Sequence, residues 1–130
     1  MGQPAAKQGD TITAIDIHII MIPTPGGPVP TPLPHPFQGM INGNLSSNVF
    51  IGGLPAATQG STADNLPPHI PQGGPFQRPP TNKGQIMLGS PTVLINGKPV
   101  ARNGDPALTC NDPVDLLAGT VAAVGTVFVG

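Results

Sequence analysis

Three histidines and one cysteine are the residues of this chain with the widest chemical reach: His18, His35, His69 and Cys110. Imidazole nitrogen and thiolate sulfur are the ligands zinc takes. Four such donors close a tetrahedral ion and leave no position for a substrate water. The complement therefore predicts a structural Zn²⁺ site held by all four residues rather than a catalytic one. Each residue alone has a plainer reading. His18 lies in the apolar run DIHII, where an isolated imidazole is commonly a hydrogen-bonded core group, and prolines flank His35 and His69 as they would in surface loops. A lone cysteine forms no internal disulfide, and paired with a histidine it could be a nucleophile. No third residue stands out in the sequence to orient such a pair.

The case for a shared site rests on a repeat. GQPAAKQGDT at Gly2 to Thr11 returns as GLPAATQGST at Gly53 to Thr62 and as GKPVARNGDP at Gly97 to Pro106. His18 and His69 fall equally far beyond Gly2 and Gly53, and Cys110 falls three residues earlier in its own unit. Threefold closure would bring these three to a common axis, with His35 as the fourth ligand. The contexts LPHPFQG and PPHIPQGG are themselves alike, so the spacing leaves open which histidine is the symmetric ligand and which the extra one.

Two copies of the motif follow a short apolar strand, NVFIG before Gly53 and TVLIN before Gly97. The strand missing before Gly2 stands at the other end, as TVFVG at Thr126 to Gly130. The chain thus reads as three units with one split across its termini, and the two ends are expected side by side. Gly52-Gly53 and Asn96-Gly97 are dipeptides of two-residue hairpin turns. Asp10, Ser61 and Asp105 share one motif position, where a short polar side chain can cap the turn through its own backbone. Units that cannot bury an apolar side alone must turn it to a common axis. A linear solenoid is the competing geometry, but it gives no reason for a split unit.

The connecting segments are rich in proline: seven in Ile22 to Pro36 and six in Asn65 to Pro80. Proline lacks an amide donor, so these segments are expected as extended covers or apical loops, not helices or central strands. With 18 Gly and 19 Pro among 130 residues, a large α/β enzyme is excluded. Charged residues make up 8 % and the net charge is −1, so nothing offers phosphates a basic surface and nucleic acid is excluded as a partner. The 38 % hydrophobic content nonetheless calls for an ordered core, built without Trp or Tyr. Such a core is marginal unless something staples it. Structural zinc contributes an apparent ~10–16 kcal/mol, the size needed to order two long segments. No secretory signal is apparent, which makes cytoplasmic synthesis the expectation. The apolar stretch from Leu116 to Gly130 is too short and too rich in glycine to span a membrane as a helix, and reads as strand and loop.

GQPAAKQGD, GLPAATQGS and GKPVARNGDP, the strands NVFIGG and TVLINGKP, and the set of three His and one Cys together resemble the PAAR-repeat proteins. These are the sharpened tips of contractile injection machines: type VI secretion, extracellular phage-tail-like particles and phage tails. The motif stands here as PAAK, PAAT and PVAR. The resemblance runs over essentially the whole chain and implies one domain over 1–130: an all-β cone of three pseudo-threefold hairpin repeats with proline-rich apical loops. It implies a zinc-held apex and a monomer whose base sits on a trimeric β-helical spike protein of the VgrG type, each repeat meeting one subunit edge. The implied role is mechanical, in piercing a target membrane, with the tip carried outside the cell on firing and no toxin domain attached. Two other classes stay open on the residues alone. A small zinc-dependent hydrolase would need an open coordination position, and a metal-free, proline-rich interaction module would hold no ion.

Overall fold

The computed structural model describes residues 2–130. In chain order the strands are β1 (Gln3–Pro4), β2 (Thr11–Ile22), β3 (Val29–Gly43), β4 (Phe50–Ile51), β5 (Leu54–Pro55), β6 (Thr62–Asn65), β7 (Lys83–Ile86), β8 (Leu94–Ile95), β9 (Lys98–Pro99), β10 (Pro106–Thr109), β11 (Leu116–Ala122) and β12 (Phe128–Val129). The fold is all-β. Six strands close a barrel in the order β10-β11-β2-β3-β6-β7, and the remaining six form three small hairpins beneath it. Closure excludes the solenoid.

The small hairpins follow from turn chemistry. Gly52, Gly53, Asn96 and Gly97 all take φ between +53° and +85°, which the two-residue turn requires at both central positions. They fold β4 onto β5 and β8 onto β9. The third hairpin joins the two ends of the chain: Gln3 lies opposite Val129 and Pro4 opposite Phe128. The split unit is therefore completed in space, as its sequence predicts.

A ring of backbone bonds marks the axis. Ala6 N–H donates to Ala101 C=O at 2.8 Å, Ala101 N–H to Ala57 C=O at 3.0 Å, and Ala57 N–H to Ala6 C=O at 3.0 Å. Alanine's small side chain lets three backbones approach this closely, and all three residues are fully buried. The capping positions behave alike. Lys7 N–H donates to Asp10 Oδ2 at 3.1 Å, Thr58 N–H to Ser61 Oγ at 2.9 Å and Arg102 N–H to Asp105 Oδ2 at 2.7 Å.

Above the ring, period-two alternation turns Ile12, Ala63 and Ala107 inward from the outgoing strands, and Ile41, Ile86 and Val121 inward from the returning ones. The next level of the returning strands carries Gly39, Gly84 and Gly119. The missing side chains of Gly39 and Gly84 make room for the one aromatic of the core, while a Cβ on Gly119 would meet Thr109, Ala107 and Ile12. A Cβ on Gly39 would stand 2.7 Å from Phe37 Cε1, and one on Gly84 3.2 Å from Phe37 Cζ.

Higher up, only β2 and β3 continue, so the molecule tapers from six strands to a two-stranded hairpin. Val29 to Pro36, expected as cover or loop, is instead a paired strand. The reason is parity. Pro30, Pro32, Pro34 and Pro36 lie opposite Met21, Ile19, Ile17 and Ile15. Those β2 residues turn their backbone away from β3: Ile17 and Ile19 N–H donate to Asn111 and Asp112 side chains, and Met21 N–H to Pro75 C=O. The prolines therefore occupy the positions that exchange no bonds with β2, and their missing amides face the open edge of β3.

Candidate metal centre

The buried face of β2 presents Ile12, Asp16, His18 and Ile20 in alternation, so Asp16 and His18 point into the taper just above Phe37. β10 delivers Thr109 to the same level, and Cys110 follows it. The segment after β6 brings in His69, whose N–H donates to Asn82 Oδ1 at 2.8 Å. Four donor-bearing side chains, Asp16, His18, His69 and Cys110, thereby meet with their ligand atoms all within 4.8 Å of one another. His35 lies opposite Asp16 in the β2–β3 ladder, its ring centroid 5.5 Å from those of both His18 and His69.

The structure thus gathers His18, His69 and Cys110 as the repeat predicts, whereas His35 lies outside the group of four whose ligand atoms meet and packs its ring against His18 and His69. It also adds a carboxylate that the sequence reading passed over. Asp16 is fully buried, and its Oδ1 accepts from Thr109 Oγ1 at 2.6 Å and from Asn111 Nδ2 at 3.3 Å. Its Oδ2 lies 2.9 Å from His69 Nε2 and 3.5 Å from Cys110 Sγ. The available signal was period two: an acid two residues before a buried histidine shares its face.

Spacing and chemistry fit a metal ion. Zn–N near 2.0–2.1 Å and Zn–S near 2.3 Å at a tetrahedral angle put the two donors roughly 3.5–3.6 Å apart. His18 Nε2 and Cys110 Sγ are 3.6 Å apart. His35 Nδ1 is 2.9 Å from Leu33 C=O, which leaves its Nε2 as the free donor. Aromatic rings shield the cluster from both ends. Phe37 lies below with its centroid 6.1 Å from that of His69, and Phe76 above at 5.8 Å from His18 and 5.6 Å from His35.

Burial, with the nearby Asp16 carboxylate, pushes the Cys110 thiol up to about 11. Burial also holds the His18 imidazole below its ordinary value, against the opposing pull of Asp112. Cys110, His18 and Asp112 do stand in the order of a thiol triad, with His18 Nδ1 3.4 Å from Asp112 Oδ2. Yet a nucleophile needs a lowered thiol and access to substrate. Here the thiol is raised, and Cys110 and His18 are only 2 % and 0 % exposed.

Residues 76–130, from Phe76 beside the cluster through the completing strand β12, match the family model described as PAAR motif. Over this stretch, a little under half of its length, the chain carries a PAAR motif. Among curated proteins none matches the chain. The matched stretch covers the third unit and the C-terminal half of the split one, and the threefold ring of Ala6, Ala57 and Ala101 extends the same architecture to the remaining unit. The motif supports a spike-tip role in a contractile injection system and association with a spike complex.

Proposed function

We propose that this protein is a PAAR-repeat protein, the zinc-stabilised tip that caps the trimeric spike of a contractile injection system and helps breach the target membrane. One observation carries the reading: Phe50, Leu94 and Phe128, at equivalent places on the three small hairpins, are 57 %, 59 % and 58 % exposed. A monomer that offers the same apolar group three times around an axis suits a partner with three identical seats. Single exposed apolar residues are ordinary, whereas a symmetric set at one end of the molecule is the mark of a docking face.

The opposite end supports a penetrating role. From Ile17 to Gln38 the chain contains no Asp, Glu, Lys or Arg, so the tapering hairpin meets lipid without desolvating a charged side chain. His18, His35, His69 and Cys110 remain the proposed ligands, with Asp16 beside them. A bound ion there would tie β2, β3, the second proline-rich segment and the loop after β10 into one unit that resists deformation under load. The protein is made in the cytoplasm, joins the particle, and leaves the cell on firing.

Metal analysis and a binding assay test this together. Purified protein should hold about one equivalent of zinc at neutral pH. It should also bind a trimeric β-helical spike at one tip per trimer. Less than about half an equivalent would remove the zinc. Failure to associate with the spike would remove the capping role.

A further inference from the structure

The mechanical reading leaves one buried group unexplained. Among the described residues, His18 Nδ1 is the buried side-chain nitrogen or oxygen that makes no hydrogen bond. Its partner across the ring, Nε2, faces Cys110 Sγ and the donor cluster. A neutral imidazole that gives Nε2 to a metal carries its proton on Nδ1, and a buried N–H without an acceptor costs about 1–3 kcal/mol. The acceptor within reach is Asp112 Oδ2, at 3.4 Å.

The surroundings of Asp112 prepare it for that role. Its Oδ1 accepts from Arg78 Nε at 3.1 Å and from Arg78 Nη2 at 2.9 Å. Its Oδ2 accepts the Ile19 N–H at 2.8 Å. A carboxylate oxygen takes two such bonds, so Oδ2 keeps one lone pair, on the atom nearest His18. Arg78 Nη2 also donates to Asn111 C=O at 2.6 Å, and Asp112 N–H to Ile17 C=O at 2.8 Å. The carboxylate is fixed from three sides before any ion arrives.

We infer that Asp112, clamped by Arg78, is a positioning residue of the metal centre: its Oδ2 accepts a hydrogen bond from His18 Nδ1–H and thereby aims Nε2 at the ion. The inference rests on the zinc reading above. Metal-bound histidines generally give their second nitrogen to such a group, and its loss weakens metal binding roughly 10–100-fold. It also gives Arg78 a purpose. This arginine belongs to the second proline-rich segment, so docking of that segment sets the orientation of a ligand on β2.

The test uses the full chain, zinc titrated against a chromophoric chelator, and ¹⁵N NMR of the His18 ring. The unaltered protein with zinc should show Nε2 bound and Nδ1 protonated, with a slowly exchanging proton. Asp112→Asn should weaken zinc roughly 10–100-fold and shift the Nδ1–H signal. Arg78→Gln, at a half-exposed side chain, should move both readouts in the same direction by less, and decides the matter if Asp112→Asn does not fold. Zinc held as tightly by either folded variant, or His18 bound through Nδ1, overturns the inference. An unaltered protein that takes up no zinc overturns the metal reading beneath it, a result told apart from the first by the wild-type titration alone.

Discussion

Pro4 and Phe128 stand opposite each other in an antiparallel pair, although almost the whole chain separates them. The hairpin they form differs from the other two only in lacking a covalent turn. A chain with its present ends joined by a short flexible linker and new ends opened between Gly52 and Gly53 should therefore fold to the same barrel. Opening there cuts a turn whose Cβ positions meet nothing. The expected thermal midpoint lies within several degrees of the original, because one short loop replaces another. Circular dichroism showing lost strand content would tell against threefold equivalence.

The inward glycines give a sharper energetic test. Gly39→Ala places a methyl 2.7 Å from Phe37 and 3.1 Å from Ala63, both buried. Overpacking of this kind costs about 1–3 kcal/mol. Adding Phe37→Leu should recover part of the loss, since both changes act on one space. Strictly additive effects in urea unfolding would mean that Phe37 does not fill the room the glycines leave.

Much of this architecture is legible in the sequence because it depends on local chemistry. Asn96-Gly97 dictates its turn, and Asp10, Ser61 and Asp105 cap theirs within three residues. His18, His69 and Cys110 were recognisable by donor type and place in the repeat. Asp16 was not, because an acid within a strand reads as a solvent-facing residue until its alternation with His18 is counted. The strand from Val29 to Pro36 escaped for a related reason. Proline forbids a bond only on the side its nitrogen faces, and the parity that turns all four nitrogens away from β2 depends on pairing register. Arg78 and Asp112 meet only through tertiary structure, so no spacing rule announces them.

Those four prolines carry a prediction of their own. An open strand edge with free amides is a template for another chain, and proline is one of the means of blunting it. Replacing Pro30, Pro32 and Pro34 by threonine restores three N–H groups to that edge without touching a bond to β2. The variant should remain folded but self-associate, visible as a rise in sedimentation coefficient with concentration. A strictly monomeric variant would show that the prolines serve some other end.

The buried donors set opposite limits on pH. Cys110 in the metal-free fold titrates near 11, above the ordinary thiol value of about 8.5. Its contribution is full below pH ~8.5 and fades as pH climbs toward 11. His18 is held below its ordinary value by burial, so its contribution is full above pH ~6.5 and lost in acid. Metal-free protein should melt highest between these limits, and Cys110→Ala should flatten the alkaline fall. Zinc must displace the thiol proton, so its binding should release protons, seen calorimetrically as a heat that depends on the buffer. An alkaline arm that Cys110→Ala leaves unchanged would show that the thiol does not set that limit.

The docking face offers the most direct test of symmetry in use. Phe50, Leu94 and Phe128 are equally exposed, and each rests on a hairpin whose turn or pairing does not depend on its side chain. Replacing any one by serine should leave the thermal midpoint nearly unchanged. Removing an apolar anchor that becomes buried on binding costs about 1.5–3 kcal/mol, so each single variant should bind a trimeric spike about 10–100-fold more weakly. If each hairpin meets its own subunit, the three losses should be similar and the triple variant should fail to bind. A loss confined to one position would mean that the partner grips one side of the base, and a tip seated that way would not lie on the threefold axis of its spike.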